Sequence, residues 1–335
     1  MNLIDATYIH EAGGKEILEQ ILEKVEKNKF MFLLDDRLIL SKEHENNLNF
    51  TTIKKGEINR FKFYKKNFKK FTKVVCMANV PPPLKLNVPV FIYFHNDLLI
   101  STKKTGLNLK DKLVLWLKKK YISFKNKNQY VWFVQTDLMK RKLDKHIIKN
   151  KNKIEVLPIF RNQNITIQSK KETNSFLCVS NHNQHKNINR LLQAFRKFSL
   201  NKTLPIKLNL TIDKKYFDKN LSDIIPANGS VQVINHGQIN KLRLNELYQK
   251  SEYYIYPSLK ESLGITLIEA AKNNCKIICS DLDYAHQVVK PSHQFNPYIT
   301  DSIYSSILKS QEIRPLNQSK LIIKNKIDIF IKYIT

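Results

Sequence analysis

Two glutamates, Glu261 and Glu269, carry the clearest chemistry in the chain. They lie in the run Tyr256-Pro257-Ser258-Leu259-Lys260-Glu261-Ser262-Leu263-Gly264-Ile265-Thr266-Leu267-Ile268-Glu269-Ala270-Ala271. The apolar residues 253–256 read as a buried strand, and a helix opens near Gly264. A helix start presents unpaired N–H groups and the positive end of its dipole, which suits a phosphate. Gly264 has no side chain to hold a ligand off the backbone. Glu261 falls in the loop before this helix and Glu269 about two turns into it. Carboxylates do not bind phosphate; they accept hydrogen bonds from hydroxyls, so this pair suits a sugar or a ribose beside the phosphate seat.

Residues of this kind must be held by a scaffold, and apolar periodicity predicts one. Strand-like runs at 2–6, 30–34, 72–77, 90–95, 130–135 and 155–158 alternate with helical stretches at 14–27, 58–70, 107–120 and 138–148. The second half repeats the pattern, with strands at 176–179, 207–212, 231–234, 253–256 and 276–280, and helices at 187–198, 241–250 and 265–273. Such alternation predicts an α/β chain of two doubly wound parallel sheets, parted within the polar stretch 161–174. The expected domains are 1–160 and 161–335, with no docking face assigned to an amphipathic helix at 319–334. Ligands of doubly wound sheets bind at the carboxyl ends of the strands, where the two glutamates fall.

Composition excludes several alternatives. The 335 residues exceed one ordinary core, and 42% of them are hydrophobic, which suits a folded chain. No apolar run is long enough to span a bilayer, and with residues 2–6 reading directly as a strand no secretory signal is expected. Cys76, Cys178, Cys275 and Cys279 sit in apolar surroundings like reduced core cysteines, so the expected location is the cytoplasm. With seven glycines the chain contains neither Gly-x-Gly-x-x-Gly nor a Walker A loop, so no dinucleotide cofactor is expected. His182 and His185 have no acidic partner nearby in sequence, and the loop reads as ordinary polar residues, so no metal is expected. The net charge of +28 is spread over both halves, with an excess of 16 basic residues in 1–160 and 12 in the remainder. A field of this size favours polyanionic partners.

The Pro-Ser strand end, the Glu-x7-Glu spacing and the Ser-Leu-Gly between them resemble the signature of the retaining GT-B glycosyltransferases of glycosyltransferase family 4, the bacterial polysaccharide type. The resemblance implies two Rossmann-like domains facing across a cleft, an acceptor-side first domain and a donor-binding second domain. It also implies transfer of a hexose-type residue from a nucleoside diphosphate sugar, with retention. Glu261 would lie beside the transferred sugar and Glu269 would hold the nucleotide ribose, while Ser262, Leu263 and Gly264 would line the phosphates. Lys186, at the start of the helix 187–198, matches the family's diphosphate-binding lysine and would offset leaving-group charge. Asn181 stands where a second cation, an Arg, is usual, which leaves Arg190 as its candidate replacement. Gly237 resembles the loop beside the nucleotide base, and Gly13-Gly14 the first-domain loop that faces the donor phosphates. His95, ending the strand 90–95, would reach the sugar; Gln135 and Thr136 end the next strand in a similar place.

Two basic, aromatic-rich stretches, 54–73 and 103–127, suit an anionic membrane surface equally with a core face and a solvated face. Many family relatives glycosylate lipid-linked acceptors while resting on the cytoplasmic leaflet. The expected partners are therefore a nucleotide sugar, a glycan or lipid-linked acceptor and an anionic membrane, with no nucleic acid. Two other classes remain open: a non-catalytic GT-B scaffold, suggested by Asn181, and a basic nucleic-acid-binding protein, suggested by the charge alone.

Overall fold

The computed structural model describes every residue except 41, 102–108, 163–168, 202–203, 225–228 and 313–315. The chain divides into two units, Met1–Asn162 with Lys324–Thr335, and Gln163–Ile323. The first unit carries strands β1 (Asn2–Ala6), β2 (Phe30–Asp35), β3 (Phe50–Ile53), β4 (Lys73–Cys76), β5 (Val90–Phe94), β6 (Val131–Val134) and β7 (Ile154–Val156). They form one parallel sheet in the order β3-β2-β1-β4-β5-β6-β7. Helices cover both faces, so central strands are apolar throughout; all five residues of β5 are buried. The order reverses between β1 and β4, which makes the carboxyl ends of those strands the switch point.

The second unit follows the same plan. Strands β8 (Glu172–Cys178), β9 (Ile206–Leu210), β10 (Val231–Asn235), β11 (Ser251–Tyr256), β12 (Lys276–Ser280), β13 (Val289–Lys290), β14 (His293–Phe295) and β15 (Lys320–Leu321) occur in that order. Six of them make a parallel sheet ordered β10-β9-β8-β11-β12-β14, with its switch point between β8 and β11. Both units thus have the doubly wound, Rossmann-like architecture of the GT-B class.

Three differences from the sequence expectation have physical causes. Strand β3 is half-exposed along its length and contains Thr51-Thr52, so it carries little of the apolar signal that marks an inner strand. Gly13 and Gly14 belong to the first turn of the helix Ala12–Lys24 instead of a free loop. The segment 319–334 is not one helix, and its end does not belong with 161–323. Strand β15 pairs antiparallel with β13, and the helix Ile327–Ile334 then docks on the first unit. Phe330 is fully buried there, its ring 5.4 Å from that of Phe133 and 5.7 Å from that of Tyr93. Lys326 fixes the entry to this helix, its backbone N–H donating to the Pro158 carbonyl at 2.8 Å.

Candidate functional site

In the second unit the carboxyl end of β11 runs straight into the segment singled out by its glutamates. Tyr256 ends the strand, and Pro257 and Ser258 turn the chain across the end of the sheet, where Ser258 is fully buried. The Leu259 N–H donates to the His185 carbonyl at 2.7 Å, and the Tyr284 hydroxyl donates to the Ser258 carbonyl at 2.6 Å. The first bond ties the Pro-Ser loop to the turn Gln184–Lys186, which follows β8 across the switch point, and the second ties it to the helix Asp283–His286.

Glu261 and Lys186 meet as a consequence. The Lys186 ammonium donates to Glu261 Oε1 at 2.6 Å, the Ser258 hydroxyl donates to the same oxygen at 2.6 Å, and Lys186 also lies 5.6 Å from the centre of the Tyr256 ring. The two charged side chains are only 16% and 14% exposed, so water screens the pair weakly. Burial works against the Glu261 carboxylate, but the Lys186 ammonium and the Ser258 hydroxyl outweigh it and hold the carboxyl below its ordinary range. The site therefore holds an ionised carboxylate and a cation that a phosphate can compete for.

Gly264 follows at φ +72°, a left-handed conformation, and an added Cβ would lie 3.3 Å from Leu267 Cδ1. It begins the helix Ile265–Lys272, whose first turn has no side-chain cap. That end of the helix has the donors and dipole sign that favour an anion. Leu263 is buried beneath it, and Ser262 is half-buried in the same turn. Glu269 lies further along the helix, and its Oε2 accepts from the buried Tyr248 hydroxyl at 3.1 Å. Sequence reasoning missed Tyr248, because it reaches Glu269 from the preceding helix Lys241–Lys250. Gly237 is buried after β10 at φ +70°, its N–H donating to Asn235 Oδ1 at 3.3 Å. Arg190 points its guanidinium at Asn187 Oδ1 (2.7 Å) and the Pro297 carbonyl (3.3 Å), where it braces a loop. Asn181 is exposed after β8.

In the first unit the switch point holds a cavity of about 650 Å³. Tyr8 and Ile9 reach it after β1, Ala78 and Asn79 after β4, and His95 and Asn96 after β5. The His95 N–H donates to Asn79 Oδ1 at 2.7 Å, and Nδ1 of its ring is buried without a hydrogen-bond partner. A Cβ on Gly14 would stand 3.4 Å from His95 Nε2, so the helix start and the histidine are neighbours. Burial pushes the His95 imidazole down to about 4. It is thus neutral at pH 7 and can offer a hydrogen bond, not a charge. Its folded value lies below the ordinary one near 6.5, so its stabilising contribution is complete above about pH 6.5 and is lost as pH falls through about 4. We expect the His95 ring resonances to keep their neutral positions down to pH 5 by NMR; a midpoint at or above 6 would contradict the buried geometry.

Gln135 is buried at the end of β6, and Thr136 is occupied as a helix cap, its hydroxyl accepting from the Met139 N–H at 3.3 Å. Beneath the cavity Arg60 and Asp5 form a buried ion pair at 2.8 Å, and Arg60 also donates to the Pro81 and Val80 carbonyls. This network anchors Val80 and Pro81 to the end of β1. Among the described residues no three His, Cys, Asp or Glu side chains converge as a metal site would require.

Comparison with known proteins adds a sequence match and a fold match. Residues 160–303 match the family described as glycosyl transferases group 1. The O-antigen chain mannosyltransferase RfbU of Salmonella typhimurium is 28% identical over 168 residues, 49% of this chain and 45% of that protein. The capsular polysaccharide biosynthesis glycosyltransferase CapH of Staphylococcus aureus is 30% identical over 151 residues, 43% of this chain and 39% of that protein. Each match thus spans less than half the length of the curated relative. The structure of HepE from Anabaena, in complex with UDP and glucose, superposes with a TM-score of 0.66 at 10% identity, covering 93% of this chain and 90% of that one. The galactosyltransferase WaaB of the lipopolysaccharide outer core also superposes, with a TM-score of 0.64 at 13% identity over 99% of this chain and 94% of that one, so the fold is that of known glycosyltransferases, and residues 160–303, which include Lys186, Gly237, Glu261 and Glu269, match the glycosyl transferases group 1 family.

Proposed function

We propose that the protein is a glycosyltransferase that moves a hexose-type residue from a nucleoside diphosphate sugar to a glycan or lipid-linked acceptor, with retention, in polysaccharide biosynthesis. The observation that carries this reading is the Lys186–Glu261–Ser258 cluster beside the uncapped Gly264 helix, at the switch point of the second unit. In this reading the donor diphosphate takes Lys186 from Glu261 and sits on the helix start, so the leaving group is stabilised as charge develops. The released Glu261 orients the transferred sugar, and Glu269 accepts the ribose hydroxyls. Gly237 gives the base close access to the backbone. In the first unit His95 is assigned to the sugar and Gly13-Gly14 to phosphate. The reading needs no metal or organic cofactor.

The roles named for the relatives, O-antigen chain and capsular polysaccharide synthesis, support a surface glycan as product. The experiment that tests the donor assignment is a thermal-shift screen of UDP-, GDP- and ADP-sugars, since a ligand of the folded state raises apparent stability. One nucleotide series should raise the melting temperature; no response from any series would remove the donor site.

Attachment to the inner face of the membrane, with a cytoplasmic active site, is part of the same proposal. The two basic stretches differ in what they bury. In 54–73, Phe63, Tyr64 and Phe71 are core residues. In the second stretch Lys103 and Lys104 lie outside the described residues, but the helix Leu109–Lys125 leaves Leu113, Trp116, Leu117 and Phe124 exposed among its lysines. No described helix is long and apolar enough to cross a membrane. An exposed apolar face with lysines around it suits insertion at headgroup depth. In sedimentation, binding to vesicles should require anionic lipid, weaken with salt, and drop when the exposed Lys110, Lys112 and Lys120 of the helix Leu109–Lys125 become Glu. Indifference to anionic vesicles at low salt would remove the membrane from the account.

A further inference from the structure

The lysines of the stretch 54–73 take no part in the donor chemistry, and four of them line one groove. This groove, of about 580 Å³, lies in the first unit between the helix Glu57–Asn67 and the outer strands β2 and β3. Met31, Ile53 and the buried Phe63 give it an apolar floor, and Lys54, Lys62, Lys66 and Lys70 stand exposed around it. Its lining contains no acidic residue, and none of the four lysines forms an ion pair among the described residues. Glu57, the single acidic residue of the stretch, accepts instead from the Tyr8 and Tyr121 hydroxyls at 2.7 and 2.6 Å. The groove borders the free edge of the sheet, because β3 is its outermost strand. Asn49 and Ile53 turn their carbonyls to β2, where they accept from the Phe32 and Asp36 N–H groups at 2.9 and 3.1 Å. Backbone direction alternates along a strand, so the N–H and C=O groups of Phe50 and Thr52 face outward. Among the described residues no backbone group bonds to them there, and Thr52 is exposed. Lysines that only guard an edge against self-pairing stand on the edge strand. Here three of the four stand across the groove floor, on the helix and the turn that follows it.

We propose that this groove docks an acidic, extended segment of a partner protein, which adds a strand to the β3 edge and sets carboxylates against Lys62, Lys66 and Lys70. Alternate side chains of a strand stand about 6.6 Å apart and residues four apart on a helix about 6 Å apart, so acidic residues at every second position meet the lysines in step. Backbone bonds to the edge supply affinity, and the lysines and the apolar floor select the side chains. A recessed apolar floor receives a side chain and does not enter a bilayer, and its one aromatic ring is buried, which leaves no platform for a nucleic-acid base. The net charge of +28 opposes a second copy of this chain as the occupant. This surface is independent of the glycosyltransferase reading.

The test is fluorescence anisotropy of the full chain, at physiological salt, with a dye-labelled peptide of alternating Glu and Val, seven residues long with Glu at both ends. This peptide should bind, while its fully N-methylated form and its Lys-for-Glu counterpart should not. Lys62→Gln with Lys66→Gln should weaken binding about tenfold or more. The charge-matched control Lys149→Gln with Lys151→Gln should bind as the parent does. Thr52→Pro removes an outward N–H that the sheet does not use, and it should weaken binding to a similar degree. Circular dichroism and the melting temperature verify that each variant is folded. Equal binding by the parent and the Lys62→Gln, Lys66→Gln variant, or equal loss in the control, overturns the site. Undiminished binding by Thr52→Pro, or by the N-methylated peptide, overturns strand addition. Binding of heparin or anionic vesicles through Lys62 and Lys66, with none of the peptide, gives the groove to another polyanion and overturns the proposal as well.

Discussion

Replacement of Glu261 by Gln is expected to cut sugar transfer on the order of 10²–10³-fold while nucleoside diphosphate binding holds or tightens. The two readouts part because of the ion pair. Lys186 is bound to Glu261 at 2.6 Å, and a phosphate must displace that carboxylate before it can use the lysine. The amide removes the competing charge but keeps the shape and the Ser258 contact. Phosphate therefore meets a freer lysine, while the sugar loses the carboxylate that orients it. Lys186→Ala acts in the opposite sense, weakening nucleoside diphosphate binding more than nucleoside binding. It also leaves Glu261 partly buried with no cation beside it. Equal transfer by parent and Glu261→Gln would take Glu261 out of the site.

Replacement of Glu269 by Ala is expected to lower nucleoside affinity well over tenfold with the fold intact. Each hydrogen bond from a ribose hydroxyl to a charged acceptor is worth on the order of 1.5–3 kcal/mol, and 1.4 kcal/mol is a factor of ten. Tyr248 sharpens this expectation, because its buried hydroxyl holds Glu269 Oε2 at 3.1 Å and so limits the carboxylate's motion. Inorganic diphosphate, which has no ribose, should bind the variant as it binds the parent. Unchanged nucleoside binding in the folded variant would sink the ribose assignment.

The donor side of this account was legible in the sequence because its parts are nearly contiguous. One strand end, one buried serine, two glutamates and one left-handed glycine fall within residues 253–269, where periodicity and spacing can both be read. Alternating strand and helix periods likewise gave two doubly wound sheets, since inner parallel strands such as β5 are apolar at every position. The first-unit cavity was not legible in the same way. Glu57, Tyr8 and Tyr121 are brought together only by the sheet order, and nothing local marks a lone glutamate in a lysine-rich stretch as fixed. Sequence placed Phe63 and Phe124 on equal terms, yet one is core and the other is 75% exposed, because burial depends on which face of the helix meets the sheet. The final helix was misplaced for a related reason. Its apolar stripe fits any open helix-sized site, and what decides its docking are contacts remote in sequence, such as the rings of Phe133 and Tyr93.

The central claim is that the Lys186–Glu261 site turns over a nucleotide sugar. Its most direct test is incubation of the purified chain with the donor selected by thermal shift, with released nucleoside diphosphate followed by phosphorus NMR and the sugar's anomeric proton by proton NMR. The account predicts nucleoside diphosphate release with the donor's anomeric configuration kept in the first-formed product, and loss of that release in Glu261→Gln. A donor that binds and stabilises the parent chain, yet releases nothing with or without added acceptor glycans and lipid-linked saccharides, would contradict it and leave a nucleotide-sugar-binding scaffold.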